Sequence, residues 1–126
     1  PQQALRLRAY IWPEVTERFA RMDAAVMEAR RSPPDIARCR ARDFVAHMLA
    51  EEPKPGVTRI IAHSVVWQYI PADERAEITS AIETAGASAT RDAPLAWVML
   101  EANRDTHRHE LTLRWWPGGR QARKLA

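Results

Sequence analysis

The sequence predicts a three-layer α/β domain, in which helices cover a mostly parallel sheet that ends in an antiparallel hairpin. Apolar residues recur at helical spacing in three segments, and two short apolar segments without that spacing lie among them. The last third of the chain changes pattern, because apolar and polar residues alternate there as in a half-exposed strand. Helices that alternate with apolar strands are typical of Rossmann-like sheets, whereas a helix bundle leaves the final segment unexplained.

The first helix is predicted over residues 13–31. Pro13 suits the first helical position, where its missing N–H would have no partner in any case. Four apolar residues fall on one helix face at spacings of four, three and four: Val15, Phe19, Met22 and Val26. The helix ends before Pro33–Pro34, because proline cannot continue the hydrogen-bond ladder.

A shorter helix is predicted over residues 42–51, after a brief strand or extended link at residues 35–40. Four apolar residues recur at helical spacing in it: Phe44, Val45, Met48 and Leu49. The prolines and glycine of residues 53–56 predict the turn that ends this helix.

A βαβ unit is predicted next. Residues 57–62 are apolar and β-branched without clean alternation, which is typical of an inner strand covered on both faces. A helix over residues 71–85, with Gly86 as a left-handed C-terminal cap, leads to a second inner strand over residues 95–101. A helix that joins two neighbouring strands makes them parallel.

The end of the chain predicts an antiparallel hairpin. Residues 110–116 alternate, which sends Trp115 and Trp116 to opposite faces, one into the core and the other to an exposed or interface position. Residues 117–119 supply a turn, and residues 121–125 can form the returning strand.

Length and composition indicate one small globular domain over residues 1–126. The chain has 14.4 kDa, with 46% hydrophobic and 28% charged residues. No apolar run reaches membrane-spanning length, and the N-terminus lacks the apolar core of a signal peptide. The single cysteine, Cys39, excludes an internal disulfide and is expected to be a buried thiol, which fits a cytoplasmic location.

The net charge of +3 is concentrated in residues 104–126, which hold six basic and two acidic groups. Only Lys54 and Lys124 among the 19 basic residues are lysine, so arginine bias explains the charge better than phosphate binding. Tryptophans beside the basic tail are also found in single-strand binders, but a solubilised edge hairpin is the preferred interpretation. The tail comprises Arg114, Arg120, Arg123 and Lys124.

Candidate site residues follow the two inner strands, because ligands of open α/β sheets bind beyond the carboxyl ends of parallel strands. His63, Ser64 and Glu101 are the candidate catalytic residues, with His63 as a base and Glu101 as an acid or as the group that orients it. The candidate substrate-binding residues are Trp67, Gln68, Tyr69 and Asn103. Each also has a structural interpretation, since the histidine can satisfy strand-end backbone groups and the aromatic rings can pack against the sheet.

Other chemistry is weakly supported. His63 and Ser64 are neighbours on a strand and point to opposite faces, and no G-x-S-x-G elbow is present, so a hydrolase is disfavoured. Four glycines form neither a G-x-G-x-x-G turn nor a P-loop. His107 and His109 lack a third ligand, so no metal site is predicted.

Three spaced motifs resemble an uncharacterised bacterial family, domain of unknown function family 2332. They are the runs at residues 60–71, 94–97 and 113–119, and the opening residues 10–13 look similar too. Family members are longer, so the chain resembles their C-terminal portion. The order of elements also resembles the second half of a methyltransferase fold, whose cofactor-binding half has no counterpart in this sequence.

Two functional hypotheses follow. The resemblance implies a fragment of a methyltransferase-like enzyme, in which S-adenosylmethionine binds only with the missing N-terminal half and a small molecule binds near residues 63–69. The alternative is a non-catalytic interaction domain that forms a homodimer through an open sheet edge. Nucleic acid and membrane are not expected partners.

Overall fold

A computed structural model describes residues 2–103 and 105–118, together with the backbone of residues 123–125. It divides the chain into two compact units, residues 1–37 and residues 38–126. Each unit is described separately below. None of the helices within the described ranges is long and apolar enough to cross a membrane.

The first unit consists of two helices, α1 (Gln2–Arg8) and α2 (Thr16–Arg31). Arg8 donates to both carboxylate oxygens of Asp23 at 3.0 Å, and its guanidinium lies 5.3 Å from the Phe19 ring centroid. Helix α2 confirms the predicted first helix, although Pro13 lies in a turn before its start. Helix α1 was not predicted, because its leucines do not repeat over two turns of one face.

The second unit contains the sheet, whose strands lie in the order β1-β2-β3-β4. Strands β1 and β2 are parallel, and the two following pairs are antiparallel, so the predicted βαβ unit and terminal hairpin are both confirmed. The elements are α3 (Ala41–Ala50), β1 (Arg59–Ser64), a 3-10 turn (Trp67–Tyr69), α4 (Ala72–Ala87), β2 (Leu95–Asn103), β3 (Arg108–Trp116) and β4 (Arg123–Leu125).

Helices α3 and α4 pack against one face of the sheet. The buried cluster joins residues of both helices to β2 and β3: Val45, Ile78, Ile82, Leu95, Trp97 and Trp116. On the opposite face Ile60 is 62% exposed and Leu111 is 59% exposed. Within residues 38–118 the arrangement is therefore a mixed α/β structure with helices on one face, and the three-layer Rossmann-like arrangement is not seen.

Three further expectations are corrected by the structure. Strand β1 is an edge strand and not an inner one, since among the described strands only β2 pairs with it. Its uninterrupted apolar run reflects one face on the core and one exposed face, because burial alternates along it. Cys39 is exposed, because residues 33–40 form no regular structure and pass outside the core.

Gly86 lies inside α4 and is not its left-handed cap. The Trp116 ring packs directly against it, so closely that a Cβ atom at position 86 would overlap the indole. Trp116 is 2% exposed and Trp115 lies on the other face, which confirms that alternation separates the two tryptophans.

The N-terminus of α3 is capped by a residue from another helix. Glu74 is 7% exposed, and its Oε1 accepts the backbone N–H of Arg42 at 3.2 Å. The residue that precedes α3, Arg40, makes no side-chain cap of its own. Nearby, a hydrogen bond with Glu77 raises the pKa of the Arg42 guanidinium above its ordinary value.

Candidate functional site

A strained turn follows β1 and begins the site. Val65 has φ of 50°, a left-handed conformation that a β-branched residue rarely adopts. Its N–H donates to Leu100 O at 2.9 Å, which fixes the turn against the end of β2. Strained backbone of this kind concentrates at functional sites, because the surrounding structure must hold it in place.

His63 and Glu101 meet at the carboxyl ends of the two parallel strands. The register pairs His63 with Met99, and Glu101 lies two residues further along β2 on the same face. The His63 Nδ1 and Glu101 Oε1 atoms are 2.7 Å apart, in side chains that are only 14% and 21% exposed. The carboxylate accepts Nδ1–H, which leaves Nε2 with a free lone pair when the ring is neutral.

The carboxylate of Glu101 also holds the strained turn. Its Oε1 accepts the N–H of Val66, and its Oε2 accepts the N–H of Trp67, both at 3.3 Å. Two backbone donors and one imidazole therefore fix the carboxylate from three directions. A carboxylate held in this way can orient the imidazole without moving itself.

Two tryptophans enclose the His63 ring. The Trp67 ring stacks on it with centroids 5.0 Å apart and an interplanar angle of 16°. Trp97 lies 6.0 Å from the imidazole at 49°, and 5.6 Å from Trp67 in an edge-to-face contact. The Nε2 of His63 is buried and has no hydrogen-bond partner among the described residues.

An apolar pocket of about 580 Å³ opens beside this cluster. His63, Trp67 and Trp97 contribute to its wall, and α3 and α4 supply the apolar side chains opposite. These are Phe44, Val45, Met48, Leu49, Ile78 and Ile82. Pockets of this size, apolar with a few polar groups, are typical of small-molecule sites.

A second, polar cleft shares Trp67 with the apolar pocket. Its volume is about 420 Å³, and Gln68, Arg75 and Glu101 line it together with Trp67. Trp67 therefore contributes to both the apolar pocket and the polar cleft, and Glu101 lines the cleft while it contacts His63.

The structure places the seven candidate residues in two groups. His63, Glu101 and Trp67 are in mutual contact, and Gln68 lines the adjoining cleft. The three others lie outside both cavities: Ser64, Tyr69 and Asn103. Strand alternation puts Ser64 on the face opposite His63, and Tyr69 is 76% exposed.

Asn103 belongs to the turn after β2 and not to the cluster around His63. Its amide donates to Glu110 at 2.7 Å, and its side-chain oxygen accepts the backbone N–H of Asp105 at 2.9 Å. Such a residue stabilises the connection to β3, which is the ordinary use of asparagine in turns.

Trp97 is the site residue that sequence reasoning did not single out. It is 3% exposed, lines the pocket and carries a second buried nitrogen, Nε1, without a partner in the described part of the chain. Strand alternation contains the signal, because Trp97 and Glu101 are both odd-numbered and share the face of His63.

The remaining sequence features add no site within the described ranges. No group of three or more His, Cys, Asp or Glu residues there is arranged to hold a metal ion. His107 lies in the turn before β3 and His109 on that strand. In the basic tail, Arg120 lies outside the described residues, as do the side chains of Arg123 and Lys124.

Comparison with known proteins identifies a family and no individual relative. No curated protein and no solved structure matches the chain. One family model matches residues 1–126, and its description reads "Uncharacterized protein conserved in bacteria (DUF2332)". Because that match spans the whole sequence, the chain belongs to this family of uncharacterized bacterial proteins.

Proposed function

We propose that the domain binds a small organic molecule in the apolar pocket and that His63 acts on it as a general base. The observation that carries the proposal is the 2.7 Å contact between His63 Nδ1 and Glu101 Oε1, beside a buried and unpartnered Nε2. The carboxylate selects the ring tautomer whose Nε2 lone pair can accept a proton. Glu101 is a positioning residue, and Trp67 limits the movement of the ring by stacking.

A structural histidine is the competing interpretation. A histidine that only satisfies its neighbours would use both ring nitrogens, as buried polar groups generally do. His63 uses Nδ1 alone among the described residues, and its ring lies at a pocket instead of in close-packed core. The strained turn at Val65 adjoins the same ring. These observations favour a reactive role.

A ring-opening assay with 5-nitrobenzisoxazole tests the base without knowledge of the natural substrate. In this reaction a base removes the proton on ring carbon, the N–O bond breaks, and a coloured nitrile phenolate forms. Positioned bases give about 10²- to 10⁴-fold acceleration, so we expect the rate to fall at least tenfold in His63→Ala. Glu101→Gln is expected to lose part of the rate.

His109→Ala is the matched control, because His109 lies on β3 outside both cavities. It is expected to retain the full rate of ring opening. An unchanged rate in His63→Ala would reject the general-base proposal.

Methyl transfer is a more specific version of the enzyme proposal. It rests only on the order of helices and strands, which resembles part of a methyltransferase fold. The described residues do not fit S-adenosylmethionine, because none of the glycines whose positions are described lies in a turn from a strand into a helix. The proposed reaction therefore does not use this cofactor. Calorimetric titration of the chain with S-adenosylmethionine and its demethylated product tests the point, and we expect no heat from this chain alone.

A homodimer through β1 is the second candidate function. The outer edge of β1 has no strand partner among the described residues, and Ile60 on it is 62% exposed. Such an edge pairs readily with a second copy. At high micromolar concentration, light scattering is expected to give a mass in solution of twice 14.4 kDa for the unmodified chain. The variant Ile60→Lys is expected to give the mass of one chain. A monomer mass for the unmodified chain would reject this candidate.

A further inference from the structure

Two residues that line the same pocket each carry a buried nitrogen without a partner among the described residues. The first is Nε2 of His63, and the second is Nε1 of Trp97. Their rings are 6.0 Å apart between centroids, and both residues line the apolar cavity. An unpaired buried polar atom is costly, so two of them beside one cavity indicate a ligand that pairs with both.

The two nitrogens have opposite hydrogen-bonding character. The indole Nε1–H can only donate, whereas Nε2 of a neutral His63 accepts, because its Nδ1–H is given to Glu101. Because the two rings are neighbours in the wall of one cavity, a single small group of a ligand can lie next to both. A hydroxyl group matches this pair because it donates and accepts at once. A ketone or an ether only accepts, and an ammonium group only donates.

The rest of the pocket selects against charge on the ligand. Apart from His63, Arg59 is the one basic residue in its wall among those that the structure describes, and it already donates to Leu49 O and Glu51 O at 3.4 and 3.1 Å. None of the described acidic side chains lines this cavity. A cationic ligand would therefore lose its hydration without gaining a counter-ion, and a carboxylate, although it could meet Arg59, has no proton to donate to His63 Nε2.

We infer that the pocket takes a neutral apolar alcohol or phenol, whose hydroxyl accepts from Trp97 Nε1–H and donates to His63 Nε2. This rests on the proposed function, since His63 accepts the hydroxyl proton only in the tautomer that Glu101 selects. It adds a substrate class and assigns Trp97 as the binding residue that orients the reacting oxygen. Proton transfer to Nε2 would leave an alkoxide that Trp97 Nε1–H still contacts, while Glu101 stabilises the imidazolium.

Three probes with a common phenylpropyl skeleton test the inference: 3-phenyl-1-propanol, its methyl ether and propylbenzene. The alcohol donates and accepts, the ether only accepts, and the hydrocarbon does neither. Binding is followed from the indole N–H signals in nitrogen-15 correlation spectra, with Trp97→Phe identifying the Trp97 signal. We expect the alcohol to bind about tenfold more tightly than the ether, and the ether more tightly than propylbenzene, as one net hydrogen bond at each step allows.

The ratios of the three probe affinities within one variant distinguish the loss of a single hydrogen bond from a general loosening of the pocket. In His63→Ala the advantage of the alcohol over the ether is expected to disappear, because the acceptor is gone. In Trp97→Phe the advantage of the ether over propylbenzene is expected to disappear. Since the three probes share the phenylpropyl skeleton, loss of apolar contacts in a partly loosened pocket is expected to lower all three affinities together.

Equal affinity for the three probes, tightest binding of propylbenzene, or no binding of the alcohol at millimolar concentration would overturn the inference. These outcomes are independent of the general-base assay, because 5-nitrobenzisoxazole carries no hydroxyl. If the three probes do not bind in the expected order but the protein still opens 5-nitrobenzisoxazole, the alcohol inference is rejected and the general-base proposal stands. If the probes bind in the expected order but the protein does not open 5-nitrobenzisoxazole, the general base is rejected and an alcohol-binding pocket remains.

Discussion

Val65 is held in a left-handed conformation between two residues that contribute to the site, His63 and Trp67. Its neighbour Val66 has an ordinary φ of −116° and nearly the same exposure, 40% against 38%. The two valines therefore differ in backbone strain more than in burial. Glu101 and Leu100 supply the hydrogen bonds that hold the strained backbone.

Glycine substitutions at these two valines measure that strain. We expect Val65→Gly to leave the free energy of unfolding unchanged or to raise it by up to about 1 kcal/mol, because glycine accepts positive φ without a clash. The matched change Val66→Gly is expected to lower it by about 1 kcal/mol, since it only adds freedom to the unfolded chain. Urea denaturation of both variants gives the comparison. Equal losses at both positions would show that the turn stores no strain.

At the same scale, sequence reasoning could predict part of the candidate site. His63 and Glu101 follow from the rule that parallel strands bring their carboxyl ends together, and both residues lie there. The rule does not say which residues after a strand turn inward. Tyr69 points into solvent because the 3-10 turn rotates it away from Trp67, and Asn103 is taken by a turn. Trp97 was missed because a mid-strand tryptophan resembles ordinary core.

At the scale of elements, α4 is the helix that joins the two parallel strands and also organises its neighbours. Its first turn supplies Glu74, which caps α3, and its last turn presents Gly86 to the Trp116 ring of β3. Each contact gives a prediction of its own.

Removal of the cap is expected to destabilise α3. Glu74→Ala leaves the Arg42 N–H without its acceptor, and the loss of an N-terminal cap costs about 0.5–2 kcal/mol. Glu74→Gln keeps an acceptor oxygen and is expected to lose less. Thermal unfolding of the two variants measures the difference. An alanine variant as stable as the glutamine variant would contradict the capping role.

A methyl group at position 86 is expected to push α4 away from β3. Gly86→Ala should lower the free energy of unfolding by about 1–3 kcal/mol, the usual range for overpacking. Trp116→Leu is expected to lower it too. The loss in the double variant should be smaller than the sum of the two single losses, because leucine at position 116 leaves space for the added methyl group. Strict additivity in the double-mutant cycle would show that the two positions do not press on each other.

Sequence patterns predicted most elements but not their arrangement in layers. The helical and alternating periods, read over whole segments, recover α2, α3, α4 and the strands that follow. The pattern of β1 is compatible with two covered faces, and the structure instead gives one covered face and an edge. The pattern of apolar residues shows which faces of a strand can be buried. Which of these faces is actually covered depends on the tertiary arrangement.

At the scale of the whole molecule, the buried residues are unevenly distributed. Every described residue classed as buried lies between Val45 and Trp116, within the second unit. Residues 32–40 are exposed and form no helix or strand. The second unit therefore has a hydrophobic core of its own, whereas α1 and α2 contain no fully buried residue.

Limited trypsin digestion is expected to cut first at Arg38 or Arg40 and to leave a resistant fragment that begins near residue 39 or 41. Exposed backbone without regular structure is the usual site of cleavage, because it can enter a protease without unfolding the core. Intact mass spectrometry of the digest identifies the fragment. Early cleavage at Arg59 or Arg114, both in strands of the core sheet, would contradict this division of stability.

The parallel pairing of β1 with β2 also determines when the site can form during folding. Strands β2 and β3 meet across a short turn that pairs Asn103 with Arg108, whereas Arg59 reaches Leu95 only after the chain has passed through all of α4. Contacts between residues distant in sequence form late, since a longer loop must close first. We therefore expect His63 to join Glu101 late in folding, so that the finished pocket forms only when most of the fold is in place.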